Sequence, residues 1–314
     1  MTAAVHQAPS SPVSEHGQPS LAVVIPTYGR EQVLADTLEL VLRQEPPADE
    51  VLVIDQTPEH EPGTAEFLER HAAAGAIRWI RQSPPNLPAA RNRGLRETTC
   101  EVVLFLDDDV IPEPGLIGFH RSNYSSPSVE AVTGRLIGRP VRRDRPAKPP
   151  QAPHLEFRDF DFDSTRRRER VAVLCGGNHS VRRSTALALG GYDENYLGWA
   201  FREETDLALR LHRAGNRIVF DPRAALLHLA APSGGCRHAG FRRMLQQWKV
   251  SFPAHYFGWK HLFPGPCFWQ ELAVDLRRSV FSRHNVLRPW RLPMAAASFA
   301  FSFVYSWFRW QRCK

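Results

Sequence analysis

Apolar residues along the chain fall into two alternating patterns. Short apolar runs occur at 21–26, 51–54 and 102–106, and at 77–80 with Arg78 inside it, each bounded by polar, glycine or proline residues, and they read as buried strands. Between them Val33, Leu34, Leu38, Val41 and Leu42 recur at helical spacing over 31–44, a helix that Pro46-Pro47 ends. Pro62 opens a second helix to about residue 74, with Gly75 as terminator, and a third covers about 88–98. Strands alternating with helices predict an α/β domain with a largely parallel sheet. Further on, 128–138 and 171–174 read as strands and 184–189 as a short helix ended by Gly190-Gly191. From Glu203 onward, Leu207, Leu211 and Ala214 share one helix face, and 218–220 and 224–229 read as two short strands. No internal repeat is visible.

In sheets of this kind ligands gather beyond the carboxyl ends of the strands. Pro26-Thr27, Asp55 and Asp107-Asp108-Asp109 all fall at such ends and are expected to converge. Three adjacent carboxylates cannot remain unpaired in a core. Two outcomes satisfy them: a divalent cation such as Mg²⁺ or Mn²⁺ shared with phosphate oxygens, or a solvated acidic turn closed by Pro112 and Pro114. Glu203, Glu204 and Asp206 stand in the first turn of their helix, where acidic side chains suit the helix dipole whether or not they have a chemical role. Asp206 can pair with Arg210 one turn later.

Composition narrows the field only slightly. The 314 residues are 43% hydrophobic and 23% charged, as in ordinary folded proteins. A net charge of +7 points to an anionic partner, whether nucleic acid, acidic lipid or phosphorylated small molecule, or reflects an arginine-rich surface without one. Five scattered cysteines without a C-x-x-C pair argue against a disulfide framework or zinc site and fit a reducing cytosol. Residues 1–20 lack the charged and apolar regions of a secretory signal and read as a disordered tail. Arg139 to Arg170, with Pro146, Pro149, Pro150, Pro153 and Arg166-Arg167-Arg168, reads as a long mobile loop over the site.

Taken in order, these motifs resemble the family 2 glycosyltransferases of GT-A fold. Val23-Val24-Ile25-Pro26-Thr27-Tyr28 is similar to the family's opening strand, Asp107-Asp108-Asp109 to its D-x-D metal motif, and Arg202-Glu203-Glu204-Thr205-Asp206-Leu207 to its "ED" helix start. Gly176-Gly177-Asn178 and Gly190-Gly191-Tyr192-Asp193-Glu194 resemble the stretch before that helix, and Ala90-Arg91-Asn92-Arg93-Gly94 the "A-R-N-x-G" run. The match spans roughly residues 21–230 and implies one GT-A domain over 21–235, with a Rossmann-like, mostly parallel sheet flanked by helices. It implies a nucleotide-diphosphate sugar donor and a saccharide or lipid-linked acceptor hydroxyl. A Mg²⁺ or Mn²⁺ ion would sit on Asp109 and Asp107, with His228 as a third ligand or instead as a hydrogen-bonded core residue. Pro26, Thr27, Asp55, Arg91, Asp107 and Asp108 would line the donor site. Glu204 would be the base, with Glu203 as fallback, and displacement would invert the anomeric carbon. Gln56, in Asp55-Gln56-Thr57, departs from the family's more usual acid or Asn and leaves base preference open.

Two other readings use the same residues: a nucleotidyltransferase on a related fold, and a basic, non-catalytic binding module. Carboxylates at strand ends argue against a polyanion binder, so nucleic acid is not the expected partner. Residues 236–314 are basic and aromatic, and 292–308 carry no charge between Arg291 and Arg309. Ser298, Ser302 and Ser306 line one face there, with Phe299, Phe303 and Trp310 expected on the other. An in-plane helix on an anionic membrane surface is the preferred reading, ahead of a packing helix and a spanning one. That implies a cytoplasmic protein, peripheral on the inner face of the membrane, and cell-envelope polysaccharide or glycolipid synthesis by family habit.

Overall fold

The computed structural model describes residues 18–138, 156, 160–198, 200–231, 233–235 and 248–313. Most of the tail expected over 1–20, and most of 139–159, lie outside them. Elements follow the predicted alternation: β1 (Leu21–Thr27), α1 (Gln32–Leu42), β2 (Glu50–Asp55), α2 (Pro62–Ala73), β3 (Arg78–Arg81), α3 (Leu87–Glu97), β4 (Val102–Leu106) and β5 (Val110–Pro112). Then come α4 (Leu116–Asn123), β6 (Val129–Ile137), β7 (Asn178–Arg182), α5 (Arg183–Ala188), α6 (Glu203–Arg213) and β8 (Arg217–His228). One eight-stranded sheet joins the strands in the order β3-β2-β1-β4-β7-β6-β8-β5.

The first four strands of that order are parallel, as expected, and β6 and β8 are parallel to each other. Three antiparallel pairings complete the sheet: β4 with β7, β7 with β6, and β8 with β5. β1 and β4 are buried throughout, because helices cover both faces of a sheet built by crossovers.

Three local expectations change. Val171 to Leu174 is buried but forms no strand, since an apolar run reports burial and not ladder pairing. The two short strands expected over 218–229 are one strand, β8. Its ladder to β6 slips between Gly134 and Arg135, where Pro222 has no N–H to offer. The described end of the expected mobile loop is anchored. Arg168 exchanges backbone bonds with Phe220 at 3.1 and 2.9 Å, and Phe160 packs edge-on against the Phe220 ring.

Beyond β8 lie α7 (Trp248–His261), α8 (Pro266–Ser279), α9 (Arg283–Val286), a 3₁₀ turn (Pro289–Arg291) and α10 (Leu292–Gln311). They form a second core, in which Phe252, Tyr256, Phe257, Trp259 and Phe268 close over Tyr196 and Leu209. Buried ions lock this layer to α6. Asp206 receives Lys260 at 2.7 Å, His261 at 2.6 Å and Arg210 at 2.7 Å, so the predicted i+4 pair is one part of a larger cluster. Among the described residues, no helix is long and apolar enough to cross a membrane.

Candidate active site

Strand ends assemble the acidic centre. Antiparallel pairing of β5 with β8 sets Val110 opposite His228, and the Leu229 N–H donates to the Asp109 carbonyl at 2.9 Å. That register brings the imidazole onto the acidic run. His228 Nε2 lies 3.3 Å from Asp107 Oδ2 and 3.2 Å from Asp109 Oδ1. The ligand atoms of the three residues all fall within 4.8 Å of one another. Two carboxylates and an imidazole form the mixed oxygen and nitrogen donor set that suits Mn²⁺ or Mg²⁺. The carboxylates push the His228 imidazole up to about 9 against its burial, so at neutral pH a proton holds a position a cation could take. Burial works to raise the Asp109 carboxyl, but His228, the Ala231 N–H and Arg30 outweigh it and hold the group below its ordinary value.

Asp108 faces the other way. At the bend that follows β4, Asp107 and Asp109 meet His228 while Asp108 turns into the core. There Thr27 Oγ1 donates to it at 2.7 Å and Arg30 Nε at 3.2 Å, and burial pushes its carboxyl up to about 7. Asp108 is thus buried on internal partners, and Thr27 spends its hydroxyl on the same bond. Asp55 is also fully buried: it accepts from the Thr57 N–H at 2.8 Å and from Trp79 Nε1 at 2.9 Å, and pairs with His60 Nε2 at 3.0 Å. Pro26 is buried in β1 opposite Ile54. Thr27 is joined to the acidic run through Asp108, and Pro26 and Asp55 lie at the neighbouring ends of β1 and β2.

Arg30 is the residue that the sequence reading missed. Its guanidinium reaches Asp109 at 3.1 Å as well as Asp108, and donates to the Ala231 and Ser233 carbonyls, tying those two residues to the acidic run. Its only sequence signal is its place in the Tyr28-Gly29-Arg30 stretch that bounds the 21–26 run.

The Ala90–Gly94 run has a separate job for each of three residues. Gly94 lets α3 approach β1 so closely that a Cβ there would meet Val24 Cγ1 at 2.5 Å. Asn92 accepts from the Tyr192 N–H at 2.7 Å and donates to the Tyr192 carbonyl at 2.8 Å, fixing the Gly190–Glu194 loop. Arg91 is buried, ion-paired with Glu203, and donates to the Gly176 carbonyl at 2.8 Å. Another guanidinium contact, at 4.0 Å, reaches Asp107.

Gly176-Gly177 separates the acidic centre from the helix carboxylates. A Cβ on Gly177 would lie 2.3 Å from Asp107 Oδ2, and one on Gly176 would lie 3.8 Å from Glu204 Cδ and 3.7 Å from Arg91 Nη2. Asp107 and Glu204 therefore flank the same two-glycine turn. Glu203 is buried against Arg91, whereas Glu204, the next residue of α6, is half-buried and open to solvent. The structure thus brings together Asp107, Asp109, His228, Arg91, Glu203 and Glu204.

The family profile described as "Glycosyl transferase family 2" matches residues 22–189, more than half of the chain. The chain is 26% identical over 219 residues to a probable glycosyltransferase, YdaM, of Bacillus subtilis, covering 66% of this chain and 50% of that protein. It is also 26% identical over 221 residues to validoxylamine A glucosyltransferase of Streptomyces hygroscopicus subsp. limoneus, covering 63% and 49% respectively. The chain spans about half the length of the curated relatives it matches. Among solved structures it resembles the mannosyltransferase PcManGT from Pyrobaculum calidifontis in complex with GDP-Man and Mn²⁺. The TM-score is 0.57 at 20% identity, over 90% of this chain and 74% of that one. The likeness to GalNAc-T7 with UDP, GalNAc and Mn²⁺ also has a TM-score of 0.57, at 15% identity, over 84% of this chain and 58% of that one. The curled, mixed sheet is the GT-A fold, and the chain belongs to glycosyl transferase family 2.

Proposed function

We propose that the protein transfers a sugar from a nucleotide-diphosphate donor to an acceptor hydroxyl, with metal assistance and inversion. The observation that carries this reading is the convergence of two unlike sites across the Gly176-Gly177 turn. One is a cation-suited cluster of Asp107, Asp109 and His228, and the other is the half-buried carboxylate of Glu204. Asp107, Asp109 and His228 would hold Mn²⁺ or Mg²⁺, which when bound supplies positive charge to the diphosphate leaving group. The metal-bound and nucleotide-bound relatives of the same fold support that assignment.

Arg91 neutralises Glu203 and stands near Asp107, so it organises the ground between the two sites. Glu204 takes the proton of the acceptor hydroxyl as its oxygen bonds to the anomeric carbon and the nucleoside diphosphate departs. A single displacement of this kind inverts the anomeric configuration. Glu203 is buried against Arg91, whereas Glu204 is half-buried beside the Gly176-Gly177 turn, and the base role is assigned to Glu204 on that position. Pro26, Thr27, Asp55 and Asp108 shape the donor site from beneath. The acceptor would be a saccharide or lipid-linked hydroxyl, as in cell-envelope polysaccharide or glycolipid synthesis.

The test is calorimetric binding of UDP, GDP and dTDP, with and without Mn²⁺, to the wild type and to Asp109→Ala. Binding that requires both the metal and Asp109 is the expected result and names the nucleotide. Equal, metal-independent binding by the two proteins would overturn the metal assignment. Failure of all three nucleotides to bind would overturn the transferase reading.

A further inference from the structure

The last helix is inside out for a protein surrounded by water. Over α10 the side turned to the protein carries Ala295, Ser302 and Ser306, all buried. The side turned outward carries Phe301, Val304 and Phe308, at 53%, 50% and 53% exposure, with Ala297, Ala300 and Trp307 among them. Phe299, Phe303 and Trp310, expected on the face opposite the serines, pack inward with them: Phe299 meets His255 at 4.6 Å and Phe303 meets Trp259 at 4.8 Å. At 100° per residue they stand beside the serines and not opposite them. Ser302 donates to or accepts from His255 Nδ1 at 2.9 Å, so the small polar face is a used packing surface.

The exposed stripe is uncharged along its length and framed by cations. Seven arginines and two acids occur between 263 and 313. Both acids face inward, Glu271 onto Arg202 at 2.8 Å and Asp275 onto His255 at 3.1 Å. Arg288 and Arg312, one beyond each end of α10, are exposed. Just before the helix Leu287 and Trp290 stand at 67% and 74% exposure. An apolar stripe with aromatic residues and a basic margin matches the boundary between acyl chains and anionic headgroups.

We propose that the outward face of α10 docks on a bilayer surface bearing anionic lipid, with the helix lying in the plane of the membrane. Charge separates this occupant from a second copy of the chain. A self-complementary dimer through this face would set two arginine margins against each other, whereas anionic headgroups neutralise them. The helix lies along the surface and does not cross it.

Co-sedimentation of the full chain with vesicles tests the proposal, using phosphatidylcholine alone and phosphatidylcholine mixed with phosphatidylglycerol. No donor or acceptor is present, so the outcome is independent of the transferase reading. The wild type is expected to bind the anionic vesicles preferentially, and less so as salt rises. Val304→Ser with Phe308→Ser is expected to weaken binding on the order of tenfold or more while leaving the unfolding midpoint near that of wild type, because these side chains are outside the core. Phe301 is left in place because its ring meets Trp248 edge-on at 5.4 Å. Arg288→Glu with Arg312→Glu is expected to remove the preference for anionic lipid, and this pair serves if the serine variant fails to fold. Undiminished binding by both variants would overturn the proposal, as would equal wild-type binding to the two vesicle types. So would absence of vesicle binding, whether the chain is monomeric or forms, by light scattering, a dimer that the serine variant abolishes.

Discussion

Gly177→Ala tests the geometry of the acidic centre through a single methyl group. The new Cβ would sit 2.3 Å from Asp107 Oδ2 and 2.6 Å from Asp107 Cγ, against about 3.4 Å for ordinary contact, so the carboxylate must move by roughly 1 Å. A cation–oxygen bond of about 2.1 Å does not tolerate that displacement, and one of three protein ligands is lost. Loss of an outer partner alone commonly costs about 10- to 100-fold in metal affinity, so a ligand displaced outright should cost at least that, about 1.4 to 2.8 kcal/mol. Folding should hardly notice. The Asp107 side chain is 34% exposed and can swing toward solvent, and alanine limits the unfolded chain more than glycine does. The net change in stability is expected to stay within about 1 kcal/mol. The assay is Mn²⁺ titration of nucleotide binding by calorimetry, beside denaturant unfolding of the same preparation. Wild-type Mn²⁺ affinity in a folded Gly177→Ala protein would refute the placement of Asp107 as a ligand.

Three further outcomes follow from the geometry. Glu204→Gln should retain metal-dependent donor binding while turnover falls about 10²- to 10⁴-fold, and turnover equal to wild type would move the base elsewhere. Asp206→Ala should destabilise the fold by about 3 to 5 kcal/mol, because Lys260, Arg210 and His261 lose their shared buried carboxylate. Limited proteolysis should then release α7 to α10 first, and resistance like that of wild type would count against this anchor. His120, buried between Ser180 and Asn178, has its imidazole lowered by burial to about 4 from an ordinary value of 6.5. Between those values the unfolded chain binds the extra proton, so the His120 contribution to stability is present above pH 6.5 and lost as pH falls to 4. Its size is about 3 kcal/mol, and His179 acts in the same direction. Denaturant unfolding of wild type and His120→Gln across this window should show a shallower loss in the variant, and parallel curves would exclude the effect.

How much was legible in the sequence depends on whether a feature is local. The strands and helices from Leu21 to Leu106 follow from apolar runs, proline and glycine, because each run was long enough to carry its own period. Asp107 and Asp109 were legible because charge at the end of a buried strand must meet solvent or a cation. Glu203 and Glu204 were offered by the resemblance of their helix start, and the two side chains carry the same chemistry. Only the folded chain separates the two, by pairing Glu203 with Arg91 from a helix more than 100 residues earlier. His228 beside Asp109 depends on the register of β5 on β8, and no periodicity within either strand encodes that pairing. Arg30 under the acidic run, the inward turn of Asp108 and the merging of two expected strands into β8 are likewise settled by neighbours distant in sequence. The last helix shows the division most plainly. Its uncharged length was evident from the sequence, but which half faces the protein was decided by the packing of α7 against its serines. Periodicity reports that two faces differ, and only tertiary contact assigns one of them to the core.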